Sequence, residues 1–192
     1  MKRYIVLYVL LSSLFVGCLS TKETTTTTTI PLTETESSSF LIYESQEHGI
    51  RIKYPSDWTM QEGFMGTVVL FGSPLESQTD DFSENLNVIV APLPEGYESI
   101  TLDELYDIEA VNLQTLLTDH KLISSEKTTI GGNPAYKVIS TYKQGRYNLK
   151  AQQIFILKNG KEYALTYAGT LEGYPRFLNT AEEMINSFEI IR

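Results

Sequence analysis

The chain has 192 residues, 42% hydrophobic and 20% charged, which suits a short leader, a linker and one globular domain with a sizeable core. Twenty-four acidic residues against 15 basic ones give a net charge of −9. This disfavours nucleic acid as a partner, because contacts from Lys and Arg dominate that affinity. A single cysteine, Cys18, excludes any intramolecular disulfide.

Lys2-Arg3 followed by the apolar run from Tyr4 to Val16 has the layout of a signal peptide, expected over residues 1–17. The run is too short for a comfortable transmembrane helix, which needs about 20 residues. Its end, Phe15-Val16-Gly17-Cys18, resembles a prokaryotic lipoprotein signal, matching at the small residue and at the cysteine. The preferred Leu stands one position early, as Leu14. The resemblance implies that Cys18 is lipidated, making the bilayer a partner on the extracytoplasmic face; an uncleaved signal-anchor is the competing reading. Burial contributes about 0.8 kcal/mol per CH₂, so more than one acyl chain is needed for a stable anchor.

Residues 18–39 change composition abruptly. Thr24 to Thr29 is unbroken threonine, followed by Pro31, Thr33, Thr35 and Ser37 to Ser39. With little to bury, this segment is expected to be a disordered tether. About twenty flexible residues span roughly 25 Å r.m.s.. Threonine tracts behind a lipid-modified cysteine look most like archaeal surface lipoproteins.

The folded domain is expected over residues 40–192. Phe40 to Ser45 and Gly49 to Tyr54 read as paired strands, with Pro55 ending the second because it has no N–H for the ladder. Trp58 follows a Ser56-Asp57 turn and is expected in the core. Thr67–Phe71 and Leu86–Ala91 are further strands, separated by a polar loop holding Asp80, Asp81 and Glu84. Thr101 and Glu104 form a capping box before a helix whose apolar face is Leu102, Leu105, Tyr106, Leu113, Leu116 and Leu117, ending near Asp119. Lys121 to Ile130 is strand-like, and Gly131-Gly132 turns into a meander of three strands between Ala135 and Thr170. Asn159-Gly160, between two apolar runs, is a strong hairpin signal because a type I′ turn needs positive φ at both positions. In the middle strand Phe155 and Leu157 point one way, Ile154 and Ile156 the other, so both faces of the sheet need cover. A last helix starts near Pro175, with Phe177, Leu178, Ala181, Met184, Ile185 and Phe188 on its apolar face.

Gly49-Ile50-Arg51-Ile52-Lys53-Tyr54-Pro55 with Trp58, then Asn85-Leu86-Asn87-Val88-Ile89-Val90, Gly132-Asn133-Pro134-Ala135-Tyr136, Gln152-Gln153-Ile154-Phe155, Tyr163-Ala164-Leu165-Thr166-Tyr167 and Asn186-Ser187-Phe188 follow one another in this order. The domain thereby resembles the PsbP/Mog1 family over about residues 40–191. The resemblance implies an α/β fold: an α/β/α sandwich with a central antiparallel sheet and helices on both faces. It also implies a binding or assembly factor in place of an enzyme, with no particular partner carried over.

The residues themselves agree. The chain has no G-x-S-x-G elbow, H-E-x-x-H helix, P-loop or Gly-rich dinucleotide turn, so no catalytic residue and no cofactor is assigned. His48 and His120 are the only histidines and read as exposed or locally capped. Asp80, Asp81 and Glu84 are hard oxygen ligands in type, but without EF-hand spacing they read as a solvated loop, not a metal site. Tyr136, Tyr142, Tyr147, Tyr163, Tyr167 and Tyr174 are expected to pack the sheet rather than form a glycan groove. The leading expectation is a lipid-anchored, extracytoplasmic, non-catalytic binding or assembly module. The alternatives are a secreted hydrolase or metal-dependent enzyme using His48, His120 and loop carboxylates, and a receptor for a small ligand or cation.

Overall fold

The computed structural model describes residues 39–191. The expected signal peptide, Cys18 and all of the threonine-rich segment except Ser39 lie outside the described residues. In chain order the strands and α-helices are β1 (Phe40–Ser45), β2 (Ile50–Pro55), β3 (Thr59–Glu62), β4 (Val69–Gly72), β5 (Asn85–Pro92), α1 (Leu102–Leu116), β6 (Thr118–Ile130), β7 (Asn133–Gln144), β8 (Tyr147–Lys158), β9 (Lys161–Thr170), α2 (Tyr174–Asn186) and β10 (Glu189–Ile190), with a 3-10 turn at Phe64–Gly66.

Strands β3-β4-β5-β9-β8-β7-β6 form one seven-stranded antiparallel sheet, and β1-β2-β10 form a separate three-stranded one. The meander is its centre. Asn159 and Gly160 take φ of 52° and 69°, and Gly131 and Gly132 take 54° and 75°, as two-residue hairpins require.

Strand alternation sorts the large sheet into two faces. Ile154, Ile156, Tyr163, Leu165 and Tyr167 join Val69, Phe71, Leu86 and Val88 in the main core, beneath Ala181, Met184 and Ile185 of α2 and beneath Ile50 and Ile52 of the small sheet. Leu149, Ala151, Phe155, Ala164 and Ala168 face the other way and pack with Leu113 and Leu117 at the end of α1. The two helices therefore cover opposite faces, and the architecture is the expected α/β/α sandwich.

Local signals explain both helices. Thr101 Oγ1 accepts from the Glu104 N–H at 3.2 Å, while the Thr101 N–H donates to Glu104 Oε2 at 2.8 Å, completing the capping box. Helix α2 starts with Pro175 in its first turn.

Several boundaries differ from the sequence expectation. Helix α1 ends at Leu116, not near Asp119, and Leu116 is 46% exposed. Asp119 instead takes φ of 54° at the start of β6, where the register with β7 shifts. β6 thus absorbs Thr118 to His120. Phe188 lies past the end of α2 but is fully buried. Strands β3 and β10 went unanticipated: one is exposed along its whole length and the other has two residues, so neither shows an alternating pattern.

Glu84 corrects the polar-loop reading. It is 2% exposed, and its Oε1 accepts from the Thr170 N–H at 3.3 Å and the Thr170 hydroxyl at 3.1 Å, tying the loop to the β9–α2 turn. Burial raises its carboxyl above the usual range, against the lowering effect of these hydrogen bonds. Gly173 lies against the same carboxylate, so a Cβ there would collide with Glu84 Oε1. Gly173→Ala is expected to destabilise the domain by about 1–3 kcal/mol through overpacking. Urea denaturation checks this; a midpoint equal to the wild type would show that Glu84 is not fixed in place.

Candidate functional site

The face beneath α1 is unlike the core face. In register, Asn87 of β5 pairs with Thr166 of β9, which pairs with Gln153 of β8. One row along, Asn85, Ala168, Ala151 and Ser140 run across β5, β9, β8 and β7. Glu162 shares the face, at the start of β9. Since side chains alternate along a strand, all of these residues point toward the α1 side.

Helix α1 adds one more. Leu105, Glu109 and Leu113 are spaced by four, so they share a stripe, and all three are buried against the sheet. Glu109 is fully buried; its Oε1 accepts from the Asn112 side-chain amide at 3.1 Å. Glu109 Oε2, Glu162 Oε1, Asn85 Oδ1, Asn87 Oδ1, Gln153 Oε1 and Ser140 Oγ are all buried and find no hydrogen-bond partner among the described residues. Leaving a buried polar group unsatisfied costs about 1–3 kcal/mol, so these six oxygens stand out on a face otherwise packed by apolar side chains.

Electrostatics agree. Burial pushes the Glu109 carboxyl up to about 7, opposed by the Asn112 hydrogen bond. Burial also raises Glu162 well above the usual range, and the neighbouring charge of Glu109 raises it further. A charge on Glu109 thus works against ionisation of Glu162.

The residues singled out from sequence lie elsewhere. His120 lines a cleft of about 550 Å³ with Asp119, Lys121, Thr141, Tyr142, Asn148 and Leu171, and burial lowers its pKa. His48 lines another, of about 340 Å³, with Glu47, Asn159 and Lys161. Asn148 and Asn159 stand at opposite ends of β8, eleven residues apart, or roughly 36 Å at the rise of an extended strand. The two histidines share no site.

The loop carboxylates also diverge. Asp81 pairs with Arg146 and accepts from the Tyr147 hydroxyl at 2.9 Å; Asp80 accepts from the N–H groups of Glu76 and Phe82; Glu84 turns inward to Thr170. Among the described residues no three His, Cys, Asp or Glu side chains gather as a metal cluster. Of the tyrosines, Tyr142, Tyr163, Tyr167 and Tyr174 are buried as expected. Tyr136 instead stacks on Tyr106 at 4.2 Å and donates to Asp103 at 2.8 Å, while Tyr147 packs on Phe82 at 4.9 Å.

Sequence reasoning passed over Glu109 and Glu162. The signal was present: Glu109 stands four residues after Leu105 and four before Leu113, in the middle of the apolar stripe.

Fold and face together define the class as an antiparallel α/β/α sandwich with one wholly apolar interior layer and one in which polar side chains are set into an apolar cluster. The chain belongs to the PsbP-like protein family, whose model matches residues 5–190. Among solved structures it is similar to cyanobacterial PsbP (CyanoP) from Synechocystis sp. PCC 6803, with 18% identity, a TM-score of 0.59, and coverage of 83% of this chain and 97% of that one. It is also similar to LpqN, involved in cell envelope biogenesis of Mycobacterium tuberculosis, with 13% identity, a TM-score of 0.57, and coverage of 82% and 87%. A third similar structure is PA94 of Pseudomonas aeruginosa, a protein of unknown function described as a putative regulator, with 13% identity, a TM-score of 0.53, and coverage of 77% and 94%. No curated protein matches the sequence.

Proposed function

We propose that this protein is an extracytoplasmic module, lipid-anchored at Cys18, that binds or assembles with a partner and performs no catalysis of its own. The observation that carries the binding part is the polar layer beneath α1. Six buried oxygens there lack partners among the described residues: carboxylate, amide and hydroxyl oxygens that a ligand or partner could engage. The alternative of an enzyme built on His48, His120 and the loop carboxylates loses its residue set, since these side chains lie at opposite ends of the sheet or in separate contacts.

The leader's layout and the lone cysteine support the anchor, and the envelope role of LpqN agrees with an extracytoplasmic setting. Among the described residues no helix is long and apolar enough to cross a membrane. The processed chain would carry 24 acidic against 13 basic residues, a surface suited to cations or basic partners.

Expression of the Cys18→Ser protein tests the anchor: it is expected to leave the membrane fraction for the soluble one. Complete retention in membranes would instead favour an uncleaved signal-anchor. Pull-down from native membranes tests the partner, with Cys18-anchored protein expected to recover a reproducible companion.

A further inference from the structure

We propose that the flank of the sandwich formed by β1 and β3 rests on the surface of a zwitterionic lipid bilayer, with Leu41, Ile42, Met60 and Met65 entering the headgroup region. The inference rests on the membrane attachment proposed above and adds which side of the domain meets the bilayer.

The first argument is a group of exposed apolar side chains on one flank. Ile42 is 62% exposed, Met65 46%, Leu41 45% and Met60 44%. β1 is an outer strand of the small sheet and β3 an outer strand of the large one. Leu41 pairs across to Tyr54, whose ring stacks on Phe71 at 4.7 Å, and Phe71 pairs across to Met60. Tyr43 of β1 meets the same Phe71 ring edge-on at 6.1 Å. Burial and then the neighbouring Glu62 carboxylate push the Tyr43 hydroxyl up to about 12, which sets the far end of β3 beside β1. Met65 follows directly, in the 3-10 turn between β3 and β4. It holds φ of 48°, a region that bulky residues rarely adopt, so the turn presents an apolar side chain at a conformational cost. Grouped exposed apolar residues of this kind mark interaction surfaces.

The second argument is where the preceding chain enters the fold. Residues 1–38 come before the domain, and Ser39 is the point at which they reach it. The Ser39 carbonyl accepts from the Ser56 N–H at 2.8 Å, and its hydroxyl donates to that of Ser56 at 3.2 Å. The entry point is therefore pinned next to Leu41 and Ile42. Attachment of the leader makes any further contact with the bilayer intramolecular, at a millimolar effective concentration. A shallow patch beside the entry point then holds the surface, although it would retain a free protein poorly. Leu122 and Ile123, also exposed, belong to β6 at the opposite edge of the large sheet.

The third is charge. Ile42 pairs across to Lys53 on the outer face of the small sheet, where a lysine stem lies along apolar surface while its amine reaches a lipid phosphate. Glu44 and Glu62 border the same patch, and the chain carries a net charge of −9, which disfavours anionic headgroups. Mixed charge around an apolar centre suits a headgroup that itself carries both signs. The unpaired backbone edge of β1 stays in the hydrated headgroup layer, because free N–H groups are not tolerated in hydrocarbon.

The test uses the full-length protein reconstituted into phosphatidylcholine vesicles whose acyl chains are brominated near the headgroup. Ile42→Cys and Met65→Cys, with Leu122→Cys and Val111→Cys as controls, are labelled with a thiol-reactive fluorophore. The signal of the wild type, whose only thiol is Cys18, is subtracted. All four positions are exposed, so the fold should persist, and a cooperative melting transition identifies the variants as folded. Bromine is expected to quench the label at Ile42→Cys and Met65→Cys about twofold or more and to leave both controls unchanged. Adding Ile42→Glu should remove most of the quenching at Met65→Cys without moving the melting temperature. Brominated phosphatidylglycerol should quench less than phosphatidylcholine. Equal quenching at all four positions, quenching at Leu122→Cys alone, or full quenching despite Ile42→Glu would overturn the docking flank. Stronger quenching in phosphatidylglycerol would overturn the choice of lipid. Protein that floats with the vesicles yet shows no quenching would overturn this inference and leave the attachment standing, whereas protein that does not float would overturn both.

Discussion

Trp58→Ala is expected to destabilise the domain by about 3–5 kcal/mol, the range for deleting a large buried aromatic. Trp58 is 5% exposed and belongs to the main core. Its indole meets the ring of Phe177 in α2 edge-on, at 5.9 Å and 84°. Its backbone N–H closes the turn after β2 by donating to the Pro55 carbonyl at 3.1 Å. The side chain thus links the end of the small sheet's central strand to α2, and removing it opens a cavity against the ring of Phe177. For a domain of this size each kcal/mol is about 2–4 °C, so a fall in melting temperature on the order of 10 °C is expected by calorimetry. Trp58→Phe should recover part of it. An unchanged melting point would remove Trp58 from the core.

Glu109→Gln is expected to act in the opposite direction, and only at high pH. The carboxyl titrates at about 7 in the folded protein, against an ordinary value of 4.5. Between those values the native state holds a proton that the unfolded chain releases. The contribution is therefore fully present below about pH 4.5 and is lost as pH rises through 7. The loss is on the order of 3 kcal/mol, taking 1.36 kcal/mol per pK unit. Glutamine has no proton to lose. The variant should match the wild type at pH 4 and exceed it by about that amount at pH 8. Glu162, facing Glu109 from β9 and raised for the same reason, steepens the wild-type slope in the same direction. Urea denaturation at both pH values is the measurement. Parallel pH profiles for the two proteins would mean that Glu109 is solvated and the polar layer open to water.

The fold was largely legible because its strongest signals are local. Asn159-Gly160, Gly131-Gly132 and the Thr101–Glu104 box each specify a backbone geometry within a few residues. The double-sided apolar pattern of Ile154, Phe155 and Ile156 then demanded a layer on each face, and α2 and α1 supply them. Where the reading failed, the deciding contact was distant in sequence. β10 exists because Glu189 and Ile190 find Arg51 and Ile50. Glu84 looked like one more loop carboxylate because nothing in its neighbourhood announces Thr170. The polar layer was harder still: it draws on five different elements, and only the cross-strand register reveals that Asn87, Thr166 and Gln153 form one row.

The unequal chemistry of the sheet's two sides has an evolutionary consequence. Cohesion comes mainly from the side shared with α2 and the small sheet, where the aromatic and aliphatic residues interlock. The reverse side combines a second, smaller apolar cluster under α1 with buried oxygens that find no partner among the described residues. Substitutions among those polar residues leave the main core untouched. A lineage built this way can diverge to the 13–18% identity seen among its structural relatives and still keep its shape. One side of the sheet is thus held constant by its packing, while the other has room to change.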